Sequence, residues 1–291
     1  MRAINVQIVN AFTDAGEGGN SAGVALNAER LTQKMKQKIA AKVGVSETAF
    51  VSASKVADFK LEFFTPARQI AHCGHATIAT FAYLAQKKLA KGPRSSKETI
   101  DGVREIFING EVAFMEQLAP KYIYFEAPAM QKTLTSLGID EAALLAGHQP
   151  MIVNTGNSFM VVPLKNEETL KTLQPKFKSI EQVSKQLDLI GYYAFTLQTQ
   201  VAGRAAAARM FAPRYGIQEE PATGTAAGPL ACYLYDQLNI KKSQMIIEQG
   251  RLSPMPSPSE LIVELHLEDG RITRLFVGGR AKTLRSLEIE I

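Results

Sequence analysis

The stretch "FFTPARQIAHCGHATIAT", residues 63–80, runs from an apolar strand-like piece through a short polar segment into a glycine that opens a helix. Its echo lies in the second half of the chain, where "ARMFAPR" (208–214) leads to "ATGTAAGPLACYLY" (222–235). Phe64 and Gly74 are ten residues apart, and Phe211 and Gly224 thirteen. Working outward, "GNSAGVAL" (19–26) is answered by "GNSFMVVPL" (156–164). The amphipathic stretch "LTQKMKQKIAAKVG" (31–44) is answered by "SIEQVSKQLDLIG" (179–191). In the first of these, Leu31, Met35, Ile39 and Val43 fall four apart, on one face of a helix. Gly44 and Gly191 stand where left-handed C-caps would end the two helices. Short strands, "TAFVS" and "YAFTL", follow. Four signals in one order point to an internal duplication of a single α+β unit.

Hairpin chemistry closes each half. Asn109-Gly110 and Asp269-Gly270 sit between alternating strands, the strongest short signal for a tight antiparallel turn. The expected fold is therefore α+β: two barrel-like, largely antiparallel sheets, each wrapped around a helix. The expected domains are 1–118 and 119–281, with "APKYIYFEAPAM" (119–130) linking them. The strand-like piece "KTLRSLEIEI" (282–291) falls outside the second repeat and is expected to complete the first sheet.

At 291 residues and 46% hydrophobic content, two domains with sizeable cores are expected. No run of residues is long and apolar enough to span a membrane. The opening "MRAINVQIVNAF" alternates like a strand and has no signal-peptide block. Cys73 and Cys232 are too few for a disulfide framework, which fits a reducing cytoplasm. The net charge of +5 sits in runs such as 34–42 and 85–94. Those runs lack the interleaved aromatics of a nucleic-acid platform, so neither nucleic acid nor membrane is an expected partner.

Two glycine-opened helix starts offer backbone N–H groups and a favourable dipole to an anion such as a carboxylate. An ordinary N-cap without a ligand accounts for either one taken alone. His72 and His75 are too few ligands for a metal centre, and His148 and His266 stand elsewhere, so no metal is expected. Cys73 at a helix start could be a low-pKa thiol. A two-thiol racemase, however, needs a partner in "EEPATG", which has no cysteine; Cys232 lies among apolar residues. Chemistry is expected where the repeats differ. Ser46-Glu47 precedes the first strand and Tyr192-Tyr193 stands at the second, while Glu219 and Glu220 precede only the second helix. Each half would thus bring one carboxylate to a shared cleft, its pKa raised toward neutral by desolvation. Two solvated loop glutamates would give the same spacing.

The sequence resembles the phenazine-biosynthesis-like isomerases, the PhzF family, which share the diaminopimelate epimerase fold. The likeness runs nearly end to end through "NAFTDAGEGGNSAGV", "SETAF", "FFTPARQIAHCGHAT", "TGNS" and "RMFAP…EEPATGTAAGPL". It implies a usually homodimeric, cofactor-free enzyme with its site in the cleft between two such domains. The glutamate of "SETAF", Glu47, would shuttle a proton between carbons of a small carboxylate, amino-acid-like or cyclic. Asn20, Ser46, Gly74, His75, Glu220, Gly224 and Thr225 would hold that substrate. Glu220 stands where the family usually has aspartate, and Thr225 where serine is common. A cysteine-using racemase and a non-catalytic acid-binding protein are the alternatives on this fold.

Overall fold

The computed structural model describes residues 3–90 and 92–291. Met1, Arg2 and Lys91, which belong to the N-terminal strand-like stretch and to the basic run at 85–94, lie outside the described residues. The chain divides into two compact units, one of Met1–Glu116 with Gly278–Ile291 and one of Gln117–Val277. No helix among the described residues is long and apolar enough to cross a membrane.

The first unit opens with β1 (Ala3–Ala11), antiparallel to β2 (Asn20–Ala25). Helix α1 (Gln33–Val43) then carries the chain over to β3 (Glu47–Ser52), which lies parallel to β2 with Ala22 opposite Glu47. A crossover helix returns the chain in the same direction, so a mainly antiparallel sheet acquires a parallel pair. From β3 the sheet runs to β4 (Phe59–Phe64), whose edge carries the two-residue β5 (Gln69–Ile70). Helix α2 (Gly74–Gln86) then leads to β6 (Arg94–Thr99), again parallel to β4, and on to β7 (Gly102–Asn109) and β8 (Val112–Leu118).

The second unit repeats this plan. After β9 (Lys121–Ile123) and α3 (Ala127–Leu137) come β10 (Met151–Asn154) and β11 (Ser158–Pro163). Two short helices, α4 (Glu167–Lys171) and α5 (Phe177–Gln186), cross over to β12 (Gly191–Thr196), parallel to β11. Then follow β13 (Ala206–Ala212), the edge strand β14 (Ile217–Glu220) and α6 (Gly224–Asp236), and β15 (Gln244–Gln249) lies parallel to β13. The unit ends in β16 (Ser259–Glu268) and the long β17 (Arg271–Glu290). Past Val277, β17 pairs with β1 from Ala11↔Ala281 to Ala3↔Glu290, and it also pairs with β8. The first unit is thereby a closed ring of eight strands.

The first ring wraps around α2, and in the second unit α6 packs against β10, β11 and β16. Residues Ala76–Leu84 of α2 are all buried against β1, β2, β3 and β7, so this helix is enclosed on every side, with the Thr77 and Thr80 hydroxyls bonded to backbone carbonyls. Fully burying a side chain such as Phe81 is worth roughly 1.5–3 kcal/mol. Strand β3 meets α2 on one face and α1 on the other, and all six of its residues are buried. That is why "ETAFVS" does not alternate.

The structure shifts several sequence expectations. The buried stripe of α1 is Lys36, Ile39, Ala40 and Val43, with Met35 half-buried and Leu31 ahead of the helix. Lys36 is buried because it pairs with Glu62 of β4. Gly44 is the left-handed C-cap, at φ 73°. Gly191 is not a cap: α5 ends five residues earlier in Gln186, and Gly191 begins β12, where a Cβ would run into the Phe211 carbonyl. At the second hairpin both Asp269 and Gly270 have positive φ. At the first, Asn109 pairs with Val112, so the loop is Gly110-Glu111.

Candidate active site

Glu47 is the first residue of β3, and His75 the second of α2. The parallel ladder fixes the first and the glycine-opened helix the second, and together they bring a carboxylate to an imidazole. His75 Nε2 lies 3.1 Å from Glu47 Oε2, with both side chains buried. This is ion-pair distance, but off the line of a good hydrogen bond, and Oε2 has no well-aligned donor. Ser46 Oγ stands 3.4 Å from the same Nε2, and Cys73 Sγ lies 3.6 Å from Nδ1. The imidazole therefore bridges a carboxylate and a thiol, one on each nitrogen.

Glu47 is 6% exposed. Burial pushes its pKa up, but the His75 imidazole beside it, with Ser46, more than offsets this and holds it below the ordinary carboxylate value. The expectation of a raised pKa is corrected: desolvation acts, and the imidazole beside the carboxylate wins. Glu47 thus rests as a carboxylate, able to accept a proton. The Cys73 thiol is pushed up by burial and is no ready thiolate.

Neither α2 nor α6 is capped by a side chain: Cys73 and Thr223, at the N-cap positions, make no such bond. Gly74 opens α2, and Asn20, which is buried, opens β2. In the second unit Glu220 is 8% exposed, and its Oε2 accepts from the Thr223 hydroxyl at 2.7 Å. The Gln249 amide ties this turn down, accepting from the Thr223 N–H at 3.0 Å and from the Tyr193 hydroxyl at 2.8 Å. It donates to the Glu220 carbonyl at 2.6 Å. Gly224 and Thr225 begin α6 beyond that network. Glu219 is committed elsewhere, to a two-point ion pair with the buried Arg209 (2.8 and 2.9 Å) and to Ser253.

Sheet register shows what the repeat lacks. Glu47 faces Ala22 at the head of one parallel ladder, and Gly191 faces Phe159 at the head of the other, one residue before Tyr192. Tyr192 is fully buried, with its hydroxyl by Ser136. No carboxylate stands there.

Glu47, Cys73 and His75 each offer a ligand atom within 4.8 Å of the others, so three groups that could take a metal lie together. Glu47 joins this group because β3 brings it to His75, a proximity that the spacing of His72 and His75 does not show. Yet His75 spends one nitrogen on each of its neighbours, which suits proton relay rather than shared coordination of one ion. Sequence reasoning also missed Gln249, which carries no motif, and Lys97, whose Nζ reaches His72 and Thr77 beside the start of α2.

A carboxylate–imidazole pair thus stands at an uncapped helix start in a chain made of two copies of one α+β unit. The chain belongs to the phenazine biosynthesis-like protein family, PhzC-PhzF, whose model matches residues 9–286. An uncharacterized isomerase of Clostridium acetobutylicum is 34% identical over 80% of both chains. The trans-2,3-dihydro-3-hydroxyanthranilate isomerase of Pseudomonas chlororaphis is 29% identical over 95% of both. The crystal structure of a PhzF-family phenazine biosynthesis protein from Bacillus anthracis superposes over the whole of both chains with a TM-score of 0.90 at 29% identity. By the names its members carry, the family is one of isomerases.

Proposed function

We propose that this protein is a cofactor-independent isomerase that moves a proton between carbons of a small carboxylate, amino-acid-like or cyclic. Glu47 is its acid/base. The observation that carries this reading is Glu47 itself: a buried carboxylate held ionised by His75 at an uncapped helix start, with no equivalent in the second unit. A carboxylate that starts ionised can take a proton from a carbon acidified by a neighbouring carboxyl or ring. It then returns the proton to a second carbon of the same molecule, so nothing is consumed and no electrons leave. His75, Ser46 and Asn20 orient the substrate, and the backbone at Gly74 and the α2 dipole favour its carboxylate. Gly224 and Thr225 make the corresponding helix start of the second unit a further anion-binding element, and Glu220 beside it accepts hydrogen bonds from N–H or O–H groups of the substrate.

The direct experiment incubates the protein in deuterated water with trans-2,3-dihydro-3-hydroxyanthranilate, the substrate named for the Pseudomonas relative, and with a panel of amino acids and cyclic carboxylates. Mass spectrometry should show catalysed deuterium incorporation at carbon in at least one of them. A panel that exchanges no faster than the uncatalysed controls would contradict the proposal. The contact of Cys73 with His75 favours one rival, a thiol-based epimerase. Cys73→Ala separates the two, because glutamate chemistry keeps most of the exchange and thiol chemistry loses it.

A further inference from the structure

Lys97, in the middle of β6, is completely buried. Its Nζ donates to the Thr77 hydroxyl at 2.6 Å, lies 3.4 Å from His72 Nδ1 and 3.6 Å from Met115 Sδ, and sits 5.4 Å from the centre of the Phe63 ring. None of these neighbours is a carboxylate. An ammonium buried without a counter-ion is costly and is kept only where something offsets it. The Thr77 hydroxyl in turn donates to the Cys73 carbonyl at 2.6 Å. Lys97 thus reaches both sides of the turn that presents Gly74 and His75: His72 before it and, through Thr77, Cys73 within it.

The charged and titratable groups around it are His72 and Cys73 on the turn, Arg104 directly opposite on β7, and Asp101 in the loop between the strands. Burial pulls the pKa of Lys97 down to about 7; with the Cys73 thiol neutral, Arg104 opposes the protonated form and Asp101 favours it.

We propose that Lys97 is the buried positioning cation of the α2 start: it fixes the turn through His72 and Thr77, and it takes up a proton when an anion binds at Gly74 and His75. The missing counter-ion is then the ligand's carboxylate. The inference rests on the reading of that helix start as a carboxylate site.

The test is calorimetric titration with anthranilate and benzoate, and benzamide as the neutral control, in buffers of different ionisation enthalpy at pH 8. Lys97→Met supplies a side chain of similar length that suits the buried site. Wild type should take up a proton on binding either acid, approaching about one per anion, and none with benzamide. Lys97→Met should bind the acids at least ~10-fold more weakly with that uptake abolished. Amide exchange at Gly74–Thr77 should rise in the variant, while the end of α2 keeps its protection. A merely structural lysine would leave proton uptake unchanged in the variant, and that result overturns this inference alone. Binding of neither acid to wild type would overturn the carboxylate site, and the role of Lys97 with it. If Lys97→Met does not fold, lysine-labelled wild type serves instead: the Lys97 titration midpoint should rise when anthranilate binds, and a midpoint that stays put overturns the inference.

Discussion

Glu47 was legible in the sequence because duplication supplies its own control. "SETAF" carries a carboxylate where "GYYAF" carries none, and the parallel ladder that Glu47 opens is opened in the second unit by Gly191. Its ionisation was not legible, since that depends on His75, which is 28 residues away in sequence and joined only by folding. Lys97 was hidden for a different reason. On β6 the residues that face inward are Ser95, Lys97 and Thr99, a polar stripe that hydrophobic patterning cannot find. Its burial makes a prediction about pH. The folded-state pKa, about 7, lies below the ordinary lysine value of 10.5. Between those values the unfolded chain binds a proton that the fold does not, so stability rises with pH across this window. Below it the full penalty applies. Denaturation of wild type and Lys97→Met from pH 6 to 10 should show the variant more stable at the acid end, with the gap closing toward pH 10. A constant gap would mean that Lys97 titrates normally in the fold.

At the scale of elements, α1, α2, α6 and both hairpins stand within a residue or two of where periodicity and turn chemistry put them. The two-residue β5 and four-residue β14 were unreadable, being too short to show a period. The end of α5 was misread because two glycines after two amphipathic helices look alike in sequence. Only the fold shows that one is needed for its backbone angle and the other for lack of a Cβ. The two should therefore respond differently to alanine. At Gly44 the left-handed backbone costs about 1–2 kcal/mol, with open space around the new methyl. At Gly191 the methyl meets the Phe211 carbonyl and Ala212, both fixed backbone in the next strand. Chemical denaturation should find Gly191→Ala the more destabilised. The reverse order would contradict the close approach of β12 and β13.

For the whole molecule, the plan of two repeated units was legible because each repeat shows the same order of strand, helix, strand, strand and glycine-opened helix. The parallel pairs were not, since strand direction follows from where a crossover helix returns the chain. Completion of the eight-strand ring by the C-terminal strand carries a prediction. Residues 281–290 pair along the whole of β1, and Ile289 packs with Val6, Ile8 and Ile39. Deleting 282–291 leaves β1 with one partner and opens that cluster. Amide exchange in the deletion variant should show protection lost in β1, β2 and α1, with β11, β12 and β13 of the second unit still protected. Protection retained in β1 would show that the ring does not depend on its last strand.

The central claim is that one carboxylate moves the proton. It is tested most directly by comparing wild type and Glu47→Gln for solvent-deuterium incorporation into the carboxylate that wild type exchanges fastest. Glutamine keeps the size and much of the hydrogen bonding of glutamate but cannot shuttle a proton near neutral pH. The account predicts a melting temperature and ligand affinity close to wild type, with incorporation reduced at least ~100-fold. A Glu47→Gln protein that exchanges deuterium at the wild-type rate would contradict it.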